Sequence, residues 1–98
     1  MKILAIESER PNAPEEAFTT KLLREEALTV WKLYLKGIVR ELYFRGDREE
    51  AILVLECDTM KEANKAIASL PLVKRSLITF ELIPVVAYPG FERLFSKT

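Results

Sequence analysis

The sequence predicts an α+β domain in which a four-stranded antiparallel sheet carries two helices on one face. Three observations lead there. Short aliphatic runs alternate with two stretches of helical periodicity in the order β-α-β-β-α-β. The middle two runs are separated only by a polar, glycine-containing segment, as a hairpin requires. And the whole pattern fits in 98 residues, the length of one domain, so residues 1–98 are read as a single unit.

Lys2 to Glu7 is a run rich in Ile and Leu and reads as the first strand. Ser8 to Pro14 contains two prolines and an Asn and reads as a loop. Pro14 suits the first turn of a helix, where its missing N–H costs nothing, and Glu15 and Glu16 favour the positive end of the helix dipole. Leu23, Ala27, Val30, Trp31 and Tyr34 follow helical spacing and form the expected buried stripe, and Lys36-Gly37 supplies a basic last turn and a stop. Phe18, Leu22, Leu28, Leu33 and Leu35 lie off that stripe. One small sheet does not need so wide an apolar arc, so part of it is expected to meet a partner or a folded-back terminus.

Ile38 to Arg45 and Ala51 to Cys57 read as strands joined through Gly46 to Glu50. Thr59 with Glu62 makes a capping box for a second helix, whose core stripe is Ala63, Ala66, Ile67 and Leu70, with Pro71 ending it. After a turn from Val73 to Ser76, Leu77 to Tyr88 is the last strand. Pro84 inside it demands an edge position or a bulge, because its nitrogen cannot donate to a ladder. Pro89-Gly90 ends the strand, and Phe91, Leu94 and Phe95 form a short apolar tail. This order is the split βαβ arrangement of ferredoxin-like domains.

Alternation then assigns faces. Ile38, Leu42 and Phe44 are expected under the helices, which leaves Val39, Glu41, Tyr43 and Arg45 on the other side of the sheet. In the next strand Leu53, Leu55 and Cys57 point to the helices and Ile52, Val54 and Glu56 away. The far face is therefore half apolar, which calls for a cover. A second copy of the sheet would supply one, so the expected partner is the chain itself, as a homodimer or a higher oligomer.

Composition narrows the function. Lys plus Arg and Asp plus Glu balance at 15 each, so the phosphate-neutralising surface of a nucleic-acid binder is absent. Tyr43 and Phe44 are adjacent and so lie on opposite faces, unlike the paired stacking aromatics of an RNA-recognition sheet. Cys57 is the only cysteine and there is no His, which removes disulfides, imidazole metal sites and Ser-His or Cys-His nucleophiles. Cys57 itself reads as a small buried thiol. The three glycines are scattered at positions 37, 46 and 90, so no phosphate-cradling loop is present. No signal peptide, no membrane-spanning run and no cofactor motif appear, which gives the expectation of a cytoplasmic protein working without a cofactor, metal or membrane.

A pocket between the sheet and the helices, or between two facing sheets, would have apolar walls with a few polar groups, suited to a small molecule. With no His, proton work near neutrality falls to carboxylates, Tyr, Lys and Arg. Glu7, Glu41, Glu56 and Glu81 are the carboxylates flanked by strand residues; Glu41 and Glu56 are assigned to the far face, with Glu7 and Glu81 as further candidates for it. Glu41 and Glu56, on neighbouring strands beside Tyr43, are the expected bases, since desolvation there would raise a carboxyl pKa. Tyr43 with Arg40 or Arg45 is expected to hold the anionic end of a ligand, with Glu81 as a further contact. Strict alternation points Arg40 at the helices, unless a bulge or a sheet edge brings it to solvent or the pocket. The same Glu and Arg residues also fit cross-strand ion pairs that only set register.

Leu70-Pro71-Leu72 between a helix and a strand, its spacing from Gly37, Arg40 and Tyr43, and Glu62-Ala63 in the second helix resemble the muconolactone delta-isomerase family. The likeness runs from Gly37 to Pro89. It implies a ferredoxin-like dimer whose sheets share an α/β barrel. It also implies a cofactor-free isomerase, or a related proton-transfer enzyme, acting on a small unsaturated lactone or carboxylate. The alternative is a non-catalytic dimeric ligand-binding or structural module.

Overall fold

The computed structural model describes residues 1–96. Its elements run β1 (Lys2–Glu9), a 3-10 turn (Glu15–Ala17), α1 (Thr20–Leu35), β2 (Val39–Phe44), β3 (Ala51–Glu56), α2 (Met60–Ala68), a one-turn α3 (Pro71–Lys74), β4 (Ile78–Val85) and a second 3-10 turn (Gly90–Leu94). The four strands form one antiparallel sheet in the order β2-β3-β1-β4, and the helices cover one face. The α+β architecture follows the sequence expectation.

Local chemistry explains the boundaries. The loop before α1 is longer than expected: Pro14 opens only the 3-10 turn, and α1 starts where Thr19 accepts the Leu22 N–H at 3.1 Å through its side chain. Gly37 sits at φ +79°, a conformation costly for other residues, and turns the chain from α1 into β2. Thr59 caps α2 by accepting the Glu62 N–H at 3.2 Å, and Glu62 in turn accepts from Asp58 rather than Thr59. Pro71 does not simply end α2; it opens α3 at a position that needs no N–H. Pro84 lies in β4, an edge strand that pairs only with β1, so its missing donor breaks no ladder. β4 stops at Val85, short of the expected Tyr88.

The core lies between the sheet and the helices. Ile3, Val39, Leu55, Leu70 and Ile78 are its largest fully buried side chains, each contributing about 1.5–3 kcal/mol by leaving water. Ala63, Ala66 and Ile67 of α2 join them, as their spacing foretold, and Cys57 is buried, which pushes its thiol pKa up.

Two face assignments need correction. Val39 pairs with Leu55 and is buried under the helices, not on the far face. A bulge between Val39 and Glu41 inserts Arg40 as an extra residue and resets the alternation, so Glu41 and Tyr43 still point away. On α1 the residues turned inward are Leu22, Glu26, Val30 and Leu33, while Leu23, Trp31 and Tyr34 stay largely exposed. The true stripe contains a carboxylate at Glu26, which hid it from a count of apolar residues.

Candidate functional site

Polar groups collect at two places on the sheet. On the far face, register aligns Glu41, Val54, Leu4 and Ile83 in one row and Tyr43, Ile52, Ile6 and Glu81 in the next. The Tyr43 hydroxyl donates to Glu41 at 2.6 Å, which pushes the phenol pKa above its ordinary value. Glu56 accepts from the Met1 ammonium at 2.5 Å, and that bond, reinforced by the charges of Arg40 and Lys2, holds its carboxyl below the usual range. Arg40, on the bulge, donates its Nε to the Gly37 carbonyl at 2.5 Å. Arg45 grips Asp47 bidentately at 2.8 and 2.7 Å within the hairpin. Glu81 is exposed on the edge strand. Glu41, Tyr43, Glu81, Glu56 and Arg40 thus share one broad face, whereas Arg45 is engaged at the sheet's end.

The second place is a cleft of about 1160 Å³ between α1 and the sheet, towards the hairpin end. Leu42, Phe44, Leu53 and Phe80 form its floor, and Phe18, Leu23 and Val30 its roof. Glu7 enters from the floor. In β1, Ile3 and Ala5 point under the helices, so period two puts Glu7 there too, paired with Phe80, and not on the far face as the sequence reading had it. Its Oε1 accepts the Ala51 N–H at 3.0 Å, at the place where β3 begins. Glu26 enters from the roof, and its Oε1 accepts the Leu72 N–H at 3.0 Å.

Both carboxyls have their pKa raised, chiefly by desolvation, against the opposing pull of the backbone N–H each accepts. The negative charges of Glu50, Glu26 and Glu9 push Glu7 up further. No Lys or Arg is among the described residues lining the cleft, so no cation holds these carboxylates ionised there. Among the described residues, no group of three or more His, Cys, Asp and Glu is arranged to hold a metal. The chemistry on offer is therefore a slot with an apolar floor and roof and five glutamates in its lining, Glu7, Glu9, Glu15, Glu26 and Glu49, of which Glu7 and Glu26, on opposite walls, have their pKa raised by desolvation.

Sequence reasoning missed Glu26 and misplaced Glu7. The signal for Glu26 is its position four residues after Leu22 and four before Val30, inside the buried stripe. For Glu7 the phase of β1 was ambiguous because both faces of that strand are apolar, Ile3 and Ala5 on one side and Leu4 and Ile6 on the other.

No protein-family model matches the sequence, and no curated protein does either. Among solved structures the chain is similar to 5-chloro-2-hydroxyhydroquinone dehydrochlorinase from Burkholderia phenoliruptrix AC1100, in its complex with 2,5-dihydroxybenzoquinone. The TM-score is 0.65 at 15% identity, over 92% of this chain and 98% of that one. The fold is ferredoxin-like. At such low identity the likeness speaks for the fold alone, and the ferredoxin-like order agrees with the strand register. No helix among the described residues is long and apolar enough to cross a membrane.

Proposed function

We propose that this chain forms a homodimer through the far face of its sheet and binds a small unsaturated lactone or ring ketone in the cleft under α1. There it acts as an isomerase or related proton-transfer catalyst, with Glu7 as the group that moves the proton. The observation that carries this reading is Glu7 itself: a half-buried carboxylate on an apolar floor, oriented by the Ala51 N–H at 3.0 Å and with its pKa raised by desolvation. The similar dehydrochlorinase is described with a quinone-type ring bound, which supports a small ring ligand on this fold.

The chemistry is a proton shuttle. The Glu7 carboxylate removes a proton from the carbon beside the carbonyl, and the electron pair enters the conjugated system as an enolate. The carboxylic acid so formed returns the proton at the far end, moving the double bond with no net loss of atoms or electrons. Glu26, across the slot, is placed to donate to the carbonyl oxygen when protonated. A cleft with only acidic charge disfavours a carboxylate substrate, so the lactone is preferred over the free acid.

The far-face group of Glu41, Glu56 and Tyr43 supports a second reading, in which the pocket lies between the paired sheets. Its supporting observation is the Tyr43–Glu41 hydrogen bond. Glu56 is a weaker base than an ordinary Glu, because its bond to the Met1 ammonium lowers its pKa.

The test is hydrogen exchange. The pure protein is incubated in D₂O with a panel of unsaturated lactones and exchange beside the carbonyl is followed by NMR. The cleft reading expects exchange that Glu7→Gln reduces at least 100-fold and Glu41→Gln leaves unchanged. The opposite pattern moves the chemistry to the far face. No exchange across the panel leaves a dimeric binding module without turnover.

A further inference from the structure

Past Val85 the chain leaves the body of the domain. Val86, Tyr88, Phe91, Leu94 and Phe95 are all strongly exposed, Val86 by 90% and Phe95 by 84%. The segment is nevertheless shaped. Tyr88 and Phe91 meet edge to face with centroids 5.2 Å apart, residues Gly90–Leu94 make a 3-10 turn, and a Cβ on Gly90 would run into the Tyr88 ring. An ordered aromatic knob surrounded by water forfeits the burial that large apolar side chains normally supply.

The whole molecule carries the same mark. Its radius of gyration is 16.3 Å, against about 12.5 Å for a compact chain of this length, and its extents are 60 × 28 × 21 Å. It exposes 7474 Å², where a compact monomer of its mass exposes about 5,700 Å². The excess, about 1,700 Å² per chain, is the share that one subunit buries in an obligate dimer. The cleft is also unfinished: Phe44 and Leu42, on its floor at the sheet edge, remain 70% and 42% exposed.

We propose that the arm of residues 86–95 crosses to a second copy of this chain and lies over the mouth of that copy's cleft, against Leu42 and Phe44. Each ligand site is then completed by its partner. The inference rests on the paired-sheet dimer and on the cleft as ligand site. The route follows from strand order. β4 is one edge of the sheet and β2 the other. If two far faces meet about a two-fold axis parallel to the strands, β4 of one copy comes beside β2 of its partner, and both unpaired edges gain a neighbour. The arm leaves β4 at that edge, level with the start of β2, and Leu42 and Phe44 lie at the other end. Spanning six-residue β2 takes about 20 Å; residues 86–89 extended cover about 13 Å and the five residues of the 3-10 turn about 10 Å more, so the arm reaches about 23 Å. The occupant is thus a segment of the right chemistry, held by the pairing within reach of the apolar surface that lacks a cover.

Cysteine pairing tests it on the full-length chain in a Cys57→Ala background. Phe44→Cys and Phe91→Cys in one chain, mildly oxidised, are expected to give a covalent dimer on a non-reducing gel, while either substitution alone gives little. Phe91→Asp with Phe95→Asp alters only exposed side chains, and is expected to weaken dimerisation at least tenfold with the circular dichroism unchanged. Failure of the double-cysteine chain to cross-link while it sediments as a dimer, or an unaltered dimer affinity with the two aspartates, overturns the arm exchange. A chain that sediments as a monomer overturns it as well. Loss of lactone exchange in Glu7→Gln is independent of those outcomes, so the cleft reading stands or falls separately.

Discussion

The carboxylate of Glu26, midway along α1, accepts the backbone N–H of Leu72 in the first turn of α3, at 3.0 Å. This bond ties the long helix to the turn that feeds β4, and it satisfies one of the donors a helix start leaves open. Replacing Glu26 with Ala leaves the Leu72 N–H, on a buried residue, without its partner and should cost about 1–3 kcal/mol in urea unfolding. Glu26→Gln keeps an acceptor in place and should retain most of that stability. Equal losses for the two variants would show that the bond contributes nothing.

Stability should also depend on pH through the same cleft. Glu7 and Glu26 have folded-state pKa values above the 4.5 of the unfolded chain, so between those values the native state binds more protons. Their contribution is fully present below pH 4.5 and is lost as pH rises through the folded values. Glu7→Gln with Glu26→Gln should flatten this decline, leaving the variant at least as stable as the parent at pH 7 and without advantage at pH 4. Melting temperatures across that range measure it, and a steeper decline in the double variant would contradict the desolvation assigned here.

The proposed dimer pairs through the far face, where Val54 lies at the centre between Leu4 and Glu41. Val54→Asp places an unpaired charge in that contact and should shift the chain to monomer in sedimentation at micromolar concentration, a weakening of at least about 3 kcal/mol. Circular dichroism separates loss of pairing from loss of fold. A parent chain that sediments at 11.3 kDa would remove the dimer altogether.

Much of the architecture was legible because the forces that set it are local. Caps, breakers and period-two runs announced the four strands and the two long helices, though not α3 or the 3-10 turns, and the Ala63-Ala66-Ile67-Leu70 stripe was read residue for residue. Pro84 pointed to an edge strand because a missing N–H is a property of the residue, whatever surrounds it. Glu41 and Tyr43 were placed on the far face even though the bulge at Arg40 shifted Val39 the other way, since the alternation on each side of a bulge is unbroken.

The sequence by itself determined the element order, the helix-covered sheet, the half-apolar far face and the absence of His-based chemistry. Only the tertiary structure decided which carboxylates leave water. Glu7 sits on a strand that is apolar on both faces and Glu26 on a helix with a wide apolar arc, so periodicity gave Glu7 the wrong side and passed over Glu26. Desolvation is a property of what packs over a group, and for these two that cover comes from elements distant in the chain: α1 over β1, and α3 against α1.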